Sequence, residues 1–258
     1  DKLRLIDEET SANKDVSVED GLTLLREKLS IPGSSIRLVG LSGVGKTRLV
    51  QALFDERVGE NSLDRNLAFY TDISDGPEPA PHKFAEQLVK MDERAIIIVD
   101  NCTPELHRKM TQACKSSNGN LSMLTVDYDV REDVPEETKV FRLQTASLNV
   151  IEQLIQRRFP HVSQVDTRRI AEFSDGNSRV GLALADTMDI GDTLSGFKDE
   201  ELFIRLFWQR YDRSDDLLKV AEVCSLLYSF EGTKTEESSE LYKLAELINM
   251  PIIDAYRK

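Results

Sequence analysis

Apolar positions change their period along the chain, and the changes divide it into segments. A polar opening (Asp7 to Asp15) is followed by Val18, Leu22, Leu25 and Leu29 at helical spacing. Pro32-Gly33 ends that run, which predicts an amphipathic helix behind a linker. Beyond it, short apolar runs alternate with helix-period segments. Strands are expected at Ile36 to Val39, Leu67 to Thr71, Ala95 to Val99 and Leu121 to Val126, with a possible fifth at Val140 to Leu143. Between them lie a helix carrying Val50 and Phe54 on one face, a helix over His82 to Met91, and a helix over Pro104 to Lys115 with proline in its first turn. Strands alternating with helices imply parallel pairing through right-handed crossovers. Ala95 to Val99 is apolar without alternation, as a strand covered on both faces must be. This part is expected to form a doubly wound α/β sheet.

From about Ser147 the strand signals stop. Ser147 can cap a helix carrying Leu148, Ile151 and Ile155, and Ser163 another with Ile170 and Phe173, closed by Gly176-Asn177. Arg179 to Met188 and Glu200 to Tyr211 continue the helical pattern. Leu202, Phe203, Leu206 and Phe207 with Trp208 have the spacing of a core face. A polar stretch, Asp212 to Asp216, precedes two further helices at Leu217 to Tyr228 and Glu240 to Ile248. The expected division is a linker and helix over 1–33, a sheet domain over 34–145, a helical domain over 146–212 and an incomplete third unit over 213–258. The chain opens on Asp1 rather than methionine and ends soon after a helix-like stretch, so it is expected to be a piece of a longer protein.

Composition narrows the class. With 40% hydrophobic and 31% charged residues, the chain is expected to be globular. No apolar run approaches membrane-spanning length and no targeting segment opens it. Three cysteines, Cys102, Cys114 and Cys224, form no paired spacing, which suits a reducing cytoplasm. A formal charge of −13 argues against nonspecific binding to nucleic acid.

The chemistry concentrates between the first strand and the helix after it. Residues 40–47 read Gly40-Leu41-Ser42-Gly43-Val44-Gly45-Lys46-Thr47, a full match to G-x-x-x-x-G-K-[ST]. The glycines let backbone amides wrap a phosphate, and the helix that begins near Lys46 points its positive end at the same place. Lys46 would supply a point charge to the outer phosphates, and the Thr47 hydroxyl would ligate Mg²⁺. A hydrolase elbow centred on Ser42 fails because Val44 stands where that motif needs glycine. Asp100 ends the apolar strand at 95–99 and is expected to hold Mg²⁺ beside the phosphate loop. Asn101 follows it. An amide can hydrogen-bond a water but cannot act as a base at neutral pH, so hydrolysis is expected to be slow or to use another group. Glu105 and Asp127 are the candidate substitutes.

On residues 37–54 (RLVGLSGVGKTRLVQALF) and 95–102 (AIIIVDNC), the sequence resembles the STAND class of signal-transduction ATPases. Within that class it looks most like the bacterial antiviral (AVAST-type) members, which are related to animal NLR and plant resistance proteins. The resemblance runs from about residue 15 onward. It implies a P-loop NTPase sheet, then a small helical domain, then the start of a winged-helix domain. It also implies ATP or ADP with Mg²⁺ as cofactors. Lys46, Asp100 and Asn101 would be the catalytic residues, and Thr47 and Asp100 the metal ligands. Nucleotide binding would fall to Gly40, Ser42, Gly43, Val44, Gly45, Lys46, Thr47, Arg48 and Arg179. The class carries a Gly-x-Pro turn against the adenine. Its counterpart here is Gly176-Asn177-Ser178-Arg179, with serine in place of proline, which leaves that contact open. Arg179 is either a sensor arginine on the phosphates or a solvated residue at a helix start. Thr125 falls near the sensor position of the class. No winged-helix histidine motif is present. The resemblance further implies an effector domain before this core and a target-sensing region after it. Self-association would follow recognition of a foreign, viral protein.

Three other functions are weighed against this one. A DNA-binding regulator would use the winged helix, but Asp215, Asp216, Glu222, Glu231, Glu236, Glu237 and Glu240 crowd that end. A small-molecule kinase would need lid arginines, and none stand out. A nucleotide-locked scaffold that never hydrolyses is made credible by Asn101. Cys102, His107 and Cys114 suggest zinc only weakly, since they contain no C-x-x-C pair.

Overall fold

The computed structural model describes residues 4–7, 14–115, 120–128, 138–207, 214–227, 230 and 232–258. Two short strands, β1 (Arg4–Asp7) and β2 (Lys14–Ser17), lead into helix α1 (Val18–Ser30). Strand β3 (Ser35–Val39) then runs to the phosphate loop and helix α2 (Lys46–Leu53). Next in order are β4 (Ala68–Asp72), α3 (Pro81–Met91), β5 (Ala95–Asp100), α4 (Pro104–Lys115), β6 (Leu121–Val126) and β7 (Lys139–Leu143). The seven strands lie in the order β2-β1-β7-β3-β6-β5-β4. All pairs from β7 to β4 are parallel, while β1 is antiparallel to both β7 and β2. This is the α/β architecture of a P-loop NTPase.

Alternation along the central strands builds two separate cores. Ile96, Ile98, Leu124 and Val126 face α1 and α2, together with Ile36 and Leu38. Ala95, Ile97, Val99, Leu121 and Met123 face α3 and α4. Every residue of β5 and β6 is buried, which is why their sequences lack a polar face. After β3 the chain jumps to the edge strand β4, returns inward through β5 and β6, and crosses to β7 on the other side of β3, so a crevice opens beyond the strands' carboxyl ends at that switch point. The phosphate loop leaves β3 at that edge. Asp100 ends β5 two strands away, because β6 is inserted between them.

The N-terminal segment departs from the expected linker. β1 and β2 form a hairpin that continues the sheet on the free edge of β7, and Leu5 is fully buried. Four-residue strands carry too few apolar positions to show a period; the edge of β7 supplies their partner. α1 carries a second feature that spacing does not reveal. Its buried Arg26 donates to the carbonyls of Ala52 at 2.6 Å and Leu53 at 3.0 Å, closing the C-terminal end of α2.

Beyond the sheet, helices α5 (Leu148–Arg158), α6 (Gln164–Ser174), α7 (Ser178–Asp186) and α8 (Asp199–Phe207) pack around Ile151, Ile155, Ile170, Leu184 and Leu202. Ser163 caps α6 by accepting from the Asp166 amide at 3.1 Å. Trp208 and Tyr211, read as part of the fourth of these helices, lie outside the described residues. A terminal unit of α9 (Asp215–Cys224), α10 (Glu240–Leu247) and α11 (Ile252–Tyr256) gathers around Val220, Ala245 and Ala255. Tyr228 and Glu231 also lie outside the described residues. Among the described residues no helix is long and apolar enough to cross a membrane.

Candidate functional site

The loop between β3 and α2 turns through three glycines with positive φ, 148° at Gly40, 84° at Gly43 and 109° at Gly45. Val44 between them is buried and packs into the core under the loop, so its side chain anchors the turn, and neither Val44 nor Gly40 lines the cavity that the loop borders. Gly45 is the N-cap of α2 and offers no capping side chain. The first amides of that helix are therefore left for a ligand. The Lys46 ammonium donates to the carbonyls of Gly40 at 2.7 Å and Leu41 at 2.8 Å. Burial lowers its pKa, against the pull of the Asp100 carboxylate, which favours the charged form.

Asp100 is the meeting point of the strand ends. Its Oδ2 accepts from the Thr47 hydroxyl at 2.8 Å and from the Tyr70 hydroxyl at 3.1 Å, and its Oδ1 from the Asn101 amide at 3.0 Å. Tyr70 is held protonated, its pKa raised by burial and by the neighbouring Asp100 charge. Asn101 adopts a left-handed φ of 54°, a conformation asparagine tolerates better than most residues. That turn carries its side chain to the end of β4, where Nδ2 donates to Asp72 Oδ1 at 2.8 Å and to Ser74 Oγ at 3.0 Å.

The helical unit closes the loop from the other side. Asn177 Nδ2 donates to the Ser42 carbonyl at 2.9 Å, Ser178 Oγ to the Gly43 carbonyl at 2.7 Å, and the Arg179 amide to the same carbonyl at 3.3 Å. Arg179 Nη1 lies 3.3 Å from Ser42 Oγ. Ser178, standing where the resembled class has proline, thus serves the phosphate loop through its hydroxyl. Between these parts is a cavity of about 660 Å³, bordered by the phosphate loop, the ends of β4 and β5, and the facing side of α7. Arg48, exposed on α2 and bonded to Gln51 at 2.8 Å, contributes a third cationic group beside Lys46 and Arg179. Tyr70, Asp72, Tyr128, Arg158 and Phe159 also line this cavity. Sequence patterns gave no reason to single them out, because Tyr70 lies inside a short strand and the other four are marked only by their place at an element's end.

Several candidates are not brought to the cavity. Asp127 is buried in an ion pair with Arg37 at 2.6 Å, which removes it as a substitute base. Glu105 sits exposed on the first turn of α4 and does not line the cavity. Thr125 is fully buried and turned toward α4, with its hydroxyl 2.7 Å from His107 Nδ1. The other His107 nitrogen lies 2.9 Å from Thr138 Oγ1, and burial pushes the imidazole pKa down to about 3. With both ring nitrogens engaged by hydroxyls, the zinc reading of Cys102, His107 and Cys114 falls. Burial also holds the two thiols protonated, at about 12. Among the described residues no group of three or more His, Cys, Asp or Glu forms a metal cage.

The residues that remain fit a phosphate chain with a divalent cation. A Cβ at Gly45 would meet nothing within 4 Å, so the loop is open where the α2 amides begin. Thr47 and Asp100 place two oxygen ligands together beside it, the donor type that a hard cation such as Mg²⁺ takes.

No model of a known protein family matches the sequence, and no curated protein matches it. Solved structures do resemble it. The RuvB Holliday junction branch migration motor of Thermotoga maritima has a TM-score of 0.52 at 13% identity, over 91% of this chain and 82% of that one. A variant of the same protein gives 0.50 at 14% identity with the same coverage. A STAND protein with a tetratricopeptide repeat sensor from Pyrococcus horikoshii gives 0.46 at 12% identity, over 93% of this chain and 39% of that one. At such identities the two RuvB likenesses are likenesses of fold, and the fold is that of a P-loop NTPase.

Proposed function

We propose that this chain is the ATP- and Mg²⁺-binding core of a STAND-type signalling switch that hydrolyses ATP slowly. The observation that carries the reading is the Thr47–Asp100 contact of 2.8 Å at the mouth of a complete phosphate loop. A bound Mg²⁺ would neutralise charge that gathers on the outer phosphate oxygens. Lys46 would add its own positive charge there, and backbone amides from Gly43 to Thr47 would orient the phosphates. Arg48 and Arg179 supply further positive charge at the cavity rim. The nucleotide would thereby touch both the sheet and the helical unit, the arrangement a switch needs.

On the same reading the core lies between an effector region and a sensing region, and the signal is a foreign, viral protein. Titration with a fluorescent ATP analogue tests the binding claim. Lys46→Ala is expected to abolish tight binding; affinity equal to that of the parent sinks the site assignment. For the antiviral role, phage plating on cells carrying the whole protein should lose its protection with Lys46→Ala. Equal plating with and without the substitution overturns that role alone.

A further inference from the structure

Asn101 stands where many ATPases of this fold place a carboxylate, yet the structure puts a carboxylate beside it. β4 and β5 pair in parallel with Asp72 opposite Asp100, so the two acids end neighbouring strands at the same edge. Both line the cavity with the phosphate loop. Their surroundings separate their roles. Asp100 has both oxygens engaged, Oδ1 by the Asn101 amide and Oδ2 by Thr47 and Tyr70. Asp72 Oδ1 accepts from the Ser74 amide at 2.8 Å and from Asn101 Nδ2 at 2.8 Å. Those two bonds fix the plane of the carboxyl group and commit one oxygen, which leaves Oδ2 as the acceptor for a water. Burial works to raise the Asp72 pKa, and the Asn101 side chain with the Ser74 amide and hydroxyl outweigh it and lower it. The competing acids do not have this placement. Asp127 is neutralised by Arg37, and Glu105 lies outside the cavity. Asp186 lines the cavity from the last turn of α7 and not from the strand ends.

We infer that Asp72 is the carboxylate that holds the attacking water for ATP hydrolysis, and that Asn101 is its positioning residue. The inference rests on the ATPase reading above and adds to it the residue that does what Asn101 cannot. In the reaction the water oxygen bonds to the terminal phosphorus, and the bond from that phosphorus to the bridging oxygen breaks. Its electron pair leaves with the nucleoside diphosphate. The water's proton passes to Asp72 Oδ2 and from there to solvent. Asn101 does not take a proton at any point. Its left-handed turn and its bond to Oδ1 keep Oδ2 directed, and it would lower turnover when altered without weakening nucleotide binding.

The test is a single-turnover measurement on the whole chain with ATP and Mg²⁺, protein in excess. Affinity for a fluorescent ATP analogue and the identity of the bound nucleotide are followed in parallel. Asp72→Asn keeps the size and the Oδ1 acceptor while removing the charge. It is expected to bind ATP as the parent does, to retain ATP rather than ADP after hours, and to convert it about 100-fold more slowly. Asn101→Ala should lower the conversion rate at unchanged affinity, whereas Glu105→Gln should match the parent. Conversion by Asp72→Asn at the parental rate overturns the inference, as does loss of ATP binding in that variant. A parent that binds ATP and never converts it overturns it too, while leaving the nucleotide site intact. A parent that fails to bind ATP overturns the ATPase reading itself.

Discussion

At position 43 the phosphate loop and the helical unit share one residue. A Cβ there would come within 2.5 Å of Asn177 Oδ1 and 2.8 Å of Arg179 Cβ, and the φ of 84° is one that only glycine adopts freely. The glycine the motif demands for a phosphate is therefore also demanded by protein packing. His107 shows the opposite relation between residue and site, since its unusual chemistry belongs to the core. Its folded pKa of about 3 lies below the ordinary value of 6.5 because burial excludes the charged form. The unfolded chain takes up that proton near pH 6.5 and the folded chain does not until about pH 3. Stability from this group is complete above pH 6.5 and is lost as pH falls through that window. Between about pH 7.5 and 5.5 the parent should lose about 1 kcal/mol more unfolding free energy than His107→Gln. Denaturant titrations at the two pH values check this, and parallel losses in both proteins would contradict it.

At the scale of elements, the turn from α6 to α7 does two jobs with one side chain. Asn177 Oδ1 caps α7 by accepting from the Arg179 amide at 3.1 Å and the Val180 amide at 3.3 Å, while Nδ2 reaches the Ser42 carbonyl. Removing the cap costs about 1 kcal/mol and removing a neutral hydrogen bond about as much again. Asn177→Ala should therefore lower the denaturant midpoint by an amount worth roughly 2 kcal/mol at an unchanged slope. Asn177→Ser, which can still cap, should recover about half of that loss. If serine and alanine behave alike, the cap contributes little and the bond to the phosphate loop dominates.

For the whole molecule, the sheet cores and the helical core are separate clusters. At the phosphate loop they are joined by the bonds of Asn177, Ser178 and Arg179 to Ser42 and Gly43. A ligand seated in that cavity touches both bodies, so its phosphates bias how they sit together. On the proposed switch reading, ATP favours an associating form and ADP a closed one. Light scattering of the chain with ATP and Mg²⁺ should then give a larger mass than with ADP, and equal masses would count against self-association through this core.

The phosphate loop, Asp100 and the alternation of strands with helices were legible because each depends on neighbours a few residues away. A glycine turn, a cap or an apolar period declares itself locally. Asn101 was legible as an amide unfit to be a base, and its partner was not. Asp72 lies 29 residues earlier and meets it only because β4 pairs with β5 in parallel register. Asn177 reaches Ser42 across 135 residues, and β1 finds its place only on the edge of β7. Thr125, expected at the site, faces α4 because alternation along a fully buried strand allows two directions with nothing local to choose between them. Local chemistry thus determined which atoms could hold a nucleotide. The pairing of strands and the docking of the helical unit decided which other residues stand around it, since contacts between distant segments exist only once the chain has packed.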